Sequence, residues 1–289
     1  MISSLRRVTQ LLDVMRPVFL SAFSVFLSFC LLQPVALWLN PSFTLLANRS
    51  AGKIAFTLVV IVHIIMLAAT LPRSEWQQFL ERTILFIKTR NWLRPFFGMF
   101  SLFALLHALL LYGLSYSPYV TSYAPSIKII FEKTPALAFG FLATFFLAWT
   151  EEAIFRGTVI PLLRRGKLST LNSVFLSALI FSLVHDITAP WHLLSCDLPL
   201  GIGLFLLGIM LAQLFIISNT LYIGMGAHAG LVFVKVFLRR IPCLAYTDHL
   251  PWWLHSDLRQ SPLVHLAFVI VIAAIFWRYQ NFFFKRTKK

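Results

Sequence analysis

The chain has 289 residues, 59% of them hydrophobic and 12% charged, with a mean hydropathy of +0.81. Soluble domains carry about 45–50% apolar and about 25% charged residues, so a soluble globular domain is excluded. The net charge of +15 would point to nucleic acid in a soluble protein, but here the basic residues lie in short segments and tails between apolar runs, as membrane orientation and anionic lipid require.

A helix needs about 20 apolar residues to cross a bilayer. Eight such runs occur, at 17–39, 53–72, 95–116, 135–163, 169–187, 199–218, 220–238 and 261–280. The predicted fold is therefore an all-α, polytopic membrane helical bundle of about eight transmembrane helices, in a single integral domain over 1–289. The basic, apolar N-terminus resembles a signal peptide but lacks a convincing small-residue cleavage site, so it reads as an uncleaved first span. Between the second and third runs, 73–94 mixes charges with Trp76, Phe79, Leu80 and Ile84, the composition of an amphipathic surface helix. The fourth run is overlong and is expected to end near Pro161. The sixth and seventh runs are joined by only "SNT". Trp252 and Trp253, in the loop 251–258, suit the interfacial belt.

With the N-terminus inside, the inner segments carry 16 Lys and Arg and the outer ones 7, with Arg156 and Lys235 inside spans completing the 25. This predicts both termini in the cytoplasm. The expected location is the inner (cell) membrane of a bacterium. Of the three cysteines, Cys30 sits in an apolar run, while Cys196 and Cys243 fall in loops on the same side, where a disulfide could join them. No CxxC occurs, so the usual thiol-metal and redox signatures are missing.

"WTEEAIFRG" (149–157) interrupts the fourth run with two acids and a guanidinium. Each ionisable residue at the centre of a membrane helix costs about 2.5–3.5 kcal/mol, so the trio would cost on the order of 8–10 kcal/mol unpaired. Glu152 and Arg156 are four residues apart and can pair on one helix face. Glu151 is rotated about 100° away and needs a partner from another helix or a water. His185 in "FSLVHD" and His228 in "GMGAHAG" are the candidates from later spans. A carboxylate, two imidazoles and a water suffice for hydrolysis: the acid accepts a proton from water, one imidazole assists, another donates to the developing oxyanion. The same three side chains, Glu151, His185 and His228, could instead hold Zn²⁺ with an open fourth position, although no HExxH accompanies them. Gly226 and Gly230 form a small-residue face that would let the seventh helix approach a neighbour closely. Lys235, two turns beyond His228, reads as snorkelling to the headgroups. His63 and His107 read as packing residues, and His192, His249, His255 and His265 as interfacial.

"EEAIFR" (Glu151 to Arg156), "FSLVH" (Phe181 to His185) and the His228 of "GAHAG" resemble, in order, the three motifs of the CAAX protease and bacteriocin-processing family, which includes the type II CAAX prenyl endopeptidases and abortive-infection-type membrane proteins. The resemblance covers roughly 135–238, a catalytic core of four helices. It implies a glutamate-type intramembrane protease: Glu151 as general base, His185 activating the water, His228 lining the oxyanion hole, Glu152 and Arg156 supporting the site. It implies no cofactor, with zinc as the alternative. The implied partners are the bilayer and a membrane-associated peptide or protein, possibly lipid-modified, with no nucleic acid. One departure stands out. Four residues after His228 the family has Asn or Asp, and this chain has Val232. Asn219 and Thr150 are the candidate replacements for the missing donor. Two further readings stay open: a non-catalytic scaffold or immunity-type protein on the same fold, and a proton-coupled transporter, which the lack of evident inverted repeats disfavours.

Overall fold

The structure is a computed structural model that describes residues 65, 73–83, 90–165, 168–183, 185 and 197–284. The first two expected spans, Cys30, Cys196, His63 and His192 lie outside the described residues. The chain divides into two compact units, one of Met1–Ile84 with Pro161–Lys167, the other of Leu85–Ile160 with Leu168–Lys289.

In the first unit, α1 (Arg73–Thr83) is helical where an amphipathic helix was expected. It buries Phe79 and Thr83 and exposes Arg73, Gln77, Gln78 and Glu81. Trp76 stacks on Phe79 with ring centroids 5.3 Å apart.

The second unit is a helical bundle. Its elements are α2 (Leu93–Leu114), β1 (Val120–Ser122), α3 (Ile127–Ile154), a π-helical turn (Phe155–Val159), α5 (Thr170–Leu183), α6 (Leu198–Ser218), α7 (Leu221–Arg240), β2 (Leu244–Tyr246) and α8 (Pro262–Phe284); the short α4 (Ile160–Arg165) follows the π turn in sequence, its residues from Pro161 on counting with the first unit. Among the described residues five helices are long and apolar enough to cross a bilayer: Leu93–Leu114, Ile127–Arg164, Leu198–Ser218, Leu221–Arg240 and Pro262–Phe283. The fold is thus an all-α polytopic bundle. Its lipid-type faces are plain in the exposed Phe97, Leu105, Leu109, Phe131, Phe139 and Phe146.

The helix ends follow from local chemistry. Ser126 caps α3 by accepting from the Ile129 amide (3.3 Å), and Asp197 caps α6 through Leu200, with Pro199 in the first turn. At the tight turn to α7, Asn219 takes the left-handed conformation (φ 52°) that ends α6, as Asn tolerates better than other non-glycine residues. The fourth run begins earlier than its hydropathy suggested and runs through both Pro135 and Pro161. It ends at Arg164, three residues past Pro161 and so near the stop expected there, with the π turn just before that proline. Of the fifth run the described helix is α5, Thr170–Leu183.

Gly226 and Gly230 do allow a close approach, and the neighbour is α2. A methyl at either position would stand 2.3 or 2.4 Å from the carbonyl oxygens of Phe96 and Phe100. His107 on α2 reinforces this seam by bonding the Leu231 carbonyl (3.0 Å). On its other side α7 packs on α3, with Gly140 against Val236 and Arg240. The antiparallel pair β1–β2, with Val120 opposite Tyr246, ties the connection after α2 to the loop after α7. Two strands of three residues carry no readable alternation, and the sequence reading missed them.

Candidate functional site

Arg156 is among the largest fully buried side chains, with 0% exposure, and Glu152 is equally buried. Their helical spacing brings Nη1 to 3.1 Å from Oε1. The expected pair therefore exists. Arg156 is held further by donating Nη2 to the Gly208 carbonyl of α6 (3.0 Å) and by lying over the Phe181 ring, 4.7 Å from its centroid.

The π turn starts one residue before Arg156. Its wider winding loosens main-chain carbonyls, and two hydroxyls take them up: Thr158 donates to Ala153 (3.1 Å) and Ser177 of α5 donates to Phe155 (3.2 Å). The second bond also fixes α5 against α3 at the level of the acids.

Glu152 does more than the spacing argument gave it. Its Oε1 also receives Nδ1 of His228 at 3.2 Å, so one carboxylate oxygen joins Arg156 to α7. The position has room because Gly224 lies one helical turn before His228; a methyl there would stand 3.0 Å from Glu152 Oε2. A glycine in the following helix was the signal that sequence reading passed over.

Glu151 points elsewhere. Its Oε2 is buried and has no hydrogen-bond partner among the described residues. It stands 3.8 Å from Nε2 of His185 and 3.7 Å from Nε2 of His228. The structure thus brings together all five residues singled out from the sequence. Exposure grades outward, from His228 at 4% of the side chain through Glu151 at 13% to His185 at 25%.

Donor accounting orients both rings. A carbonyl can only accept, so His185 Nδ1, 2.7 Å from the Phe181 carbonyl, carries the hydrogen. A carboxylate paired with arginine also accepts, so His228 Nδ1–H donates to Glu152. Both rings therefore turn Nε2 toward Glu151 Oε2. Phe181 organises the group: fully buried, it meets His185 edge-on at 4.4 Å and His228 at 6.2 Å between ring centroids, besides carrying Arg156. The aromatic of "FSLVH" is the common wall of the site.

The candidate replacements for the missing donor fare differently. Asn219 is exposed at the far end of α6, about 10 Å of helix rise below His228, and cannot reach it. Thr150 is buried beside Glu151. Zinc asks for ligands about 2.0–2.1 Å from the ion, which places tetrahedral partners about 3.3 Å apart. The 3.7 and 3.8 Å separations are wider, and no group of His, Cys, Asp or Glu among the described residues has metal-site spacing. A water within about 2.8 Å of these groups could donate to two of the three.

Cys243 is a free thiol. Lys235 does not simply snorkel: its Nζ binds Asp257 Oδ1 at 2.9 Å.

Comparison with known families places this geometry. Residues 132–234 match the family model described as Rce1-like, type II CAAX prenyl endopeptidase Rce1-like. The match falls within a few residues of the four-helix core expected at 135–238 and includes Glu151, Glu152, Arg156, His185 and His228. No curated protein and no solved structure matches the chain. Over residues 132–234 the chain is thus similar to the Rce1-like type II CAAX prenyl endopeptidases, and five of its described helices are long and apolar enough to cross a bilayer.

Proposed function

We propose that the protein is an intramembrane endopeptidase that hydrolyses a membrane-associated peptide or protein near its C-terminus. The observation that carries this reading is the orphaned Oε2 of Glu151, buried and equidistant from two imidazole nitrogens whose other nitrogens are already committed. A water between them donates one hydrogen to Glu151 and the other to an imidazole. Glu151 takes its proton as the water oxygen adds to the scissile carbonyl. The tetrahedral oxyanion is met by the Nε2–H that His228 carries in its doubly protonated form, with Nδ1–H still donating to Glu152, while the water's second hydrogen goes to His185. Collapse expels the amine, which receives the proton held by Glu151. Positioned general-base catalysis of this kind contributes about 10²–10⁴ in rate.

The buried Glu152–Arg156 pair supports the site without entering the reaction. Its role is to hold His228 in one tautomer and α6 in register, as a carboxylate holds an imidazole in other hydrolases. Val232 adds no donor, so oxyanion stabilisation rests on fewer groups, and each such donor is worth about 10²–10³ in rate. That same residue favours the second reading, a non-catalytic protein on this fold.

The test uses the full chain in phosphatidylcholine nanodiscs and an S-farnesyl peptide ending in cysteine, two aliphatic residues and a free carboxylate. Glu151→Gln is expected to lower cleavage by at least about 10²-fold while leaving the melting profile unchanged. Full cleavage by that variant overturns the assignment, and absence of cleavage by the native chain supports the non-catalytic reading. Cleavage that stops on chelation and returns with Zn²⁺ would replace the water mechanism by the metal one.

A further inference from the structure

A second polar cluster lies outside the site and outside the matched segment. Asp257 receives Lys235 Nζ on Oδ1 (2.9 Å) and the Arg259 guanidinium on both oxygens, with Nη2 at 2.6 Å from Oδ2 and Nε at 3.1 and 3.2 Å. Two cations thus share one carboxylate. The next acid, Asp197, is engaged by Gln260 Nε2 (2.8 Å) and by the Leu200 amide, while Arg239 adds a further positive charge beside Lys235. Local charge is net positive. The Arg259 side chain is 41% exposed and that of Lys235 33%, and Nη1 of Arg259 has no hydrogen-bond partner among the described residues.

The fold sets this cluster beside the helices that carry the site. Gly201 of α6 accepts from Ser182, three residues before His185, and two residues on, a methyl at Gly203 would overlap the Arg259 carbonyl (1.9 Å). The Arg259 turn therefore stands at the level of the end of α5. His265 secures the turn by bonding the Arg259 carbonyl (2.8 Å). On α7, Lys235 lies seven residues beyond His228, about 10.5 Å along the same face. Three residues in extended form also span about 10 Å.

We propose that Lys235 and Arg259, pre-oriented by Asp257, bind the free C-terminal carboxylate of the substrate and so place the peptide bond about three residues upstream at Glu151. This deepens the endopeptidase reading and takes the identity of its ligand from it. A guanidinium with an unused edge matches a carboxylate in geometry and charge. The chemistry also explains how an apolar tail can be cut at a fixed distance from its end: the cluster measures from the terminal charge, independently of the side chains between.

Binding is read apart from cleavage, using the Glu151→Gln chain in phosphatidylcholine nanodiscs and two fluorescent S-farnesyl peptides, one with a C-terminal carboxylate and one with a carboxamide. The acid is expected to bind about 10- to 100-fold more tightly than the amide, as a charge-assisted hydrogen bond allows. Adding Arg259→Gln or Lys235→Met should reduce that ratio to within about threefold, and in the native background the change should fall on KM rather than kcat. Equal binding of acid and amide, no measurable binding of the acid, or a ratio retained in both double variants overturns the proposal. So does a result in which these variants alter only the response to added phosphatidylglycerol, which would make the cluster a lipid contact. Acid preference without cleavage by the native chain leaves the carboxylate site standing and removes the endopeptidase reading; cleavage without acid preference does the reverse.

Discussion

The molecule holds two ion-pair networks of similar composition in opposite surroundings. In one, Glu152 joins Arg156 and His228 at side-chain exposures of 0–4%. In the other, Asp257 joins Lys235 and Arg259 at 26–41%. The difference teaches where electrostatics shapes a membrane fold. A buried pair gives little net stability over an apolar replacement, yet losing one member leaves a charge with nowhere to go. The exposed cluster can exchange each of its bonds for water, so its members are free to serve a ligand. Hence the first network holds the architecture and the second is suited to recognition.

The largest effect should come from breaking the buried network. Arg156→Met strands Glu152 beside Phe181 and should cost about 3–5 kcal/mol, read as a melting temperature roughly 10 °C lower in nanodiscs. A variant that melts like the native chain would erase the contrast between the two regions. Phe181→Leu sharpens it. The main-chain bond to His185 survives, while the ring beneath Arg156 and beside both imidazoles is lost. We expect about 1–2 kcal/mol, with a fall in kcat larger than any change in KM. The smallest effect belongs to Asp257→Asn, at about 0–1 kcal/mol in the same melt. Its carboxyl is opposed by partial burial but held well below the usual carboxylate range by hydrogen bonds from Arg259 and Lys235. A depressed value contributes stability above the unfolded carboxylate range and loses it as pH falls through the folded one. The native chain and Asp257→Asn should therefore differ at pH 7 and converge only in strong acid; convergence near pH 6 would show the cluster to be unformed.

Much of the candidate site was legible because helical spacing is a local rule. Glu152 and Arg156 had to share a face, and Glu151 had to look away from them; the 3.1 Å pair and the unpartnered Oε2 follow. The order of Glu151, His185 and His228 along successive helices was legible too, through the family resemblance. What escaped was whatever depends on which helix meets which. The sequence reading gave His228 to Glu151 alone, whereas Gly224 makes room for Glu152 to hold its other nitrogen. Asn219 looked like a spare donor until the turn set it at the far end of the bundle. Lys235 read as an interfacial lysine because its partner, Asp257, is 22 residues away in an irregular loop.

The sequence by itself determined the solvent, the helical character of the spans and which ionisable residues they must accommodate. Long apolar runs must be helical in a bilayer, since every backbone polar group has to be satisfied within its own segment, and acids within such a run must be paired or used. Only the tertiary structure decided that His185 and His228 meet at Glu151, and that two cations from α7 and the following loop gather on one carboxylate. Both depend on contacts between segments far apart in sequence, where close packing at glycines and the reach of single side chains, rather than hydropathy or period, set the outcome.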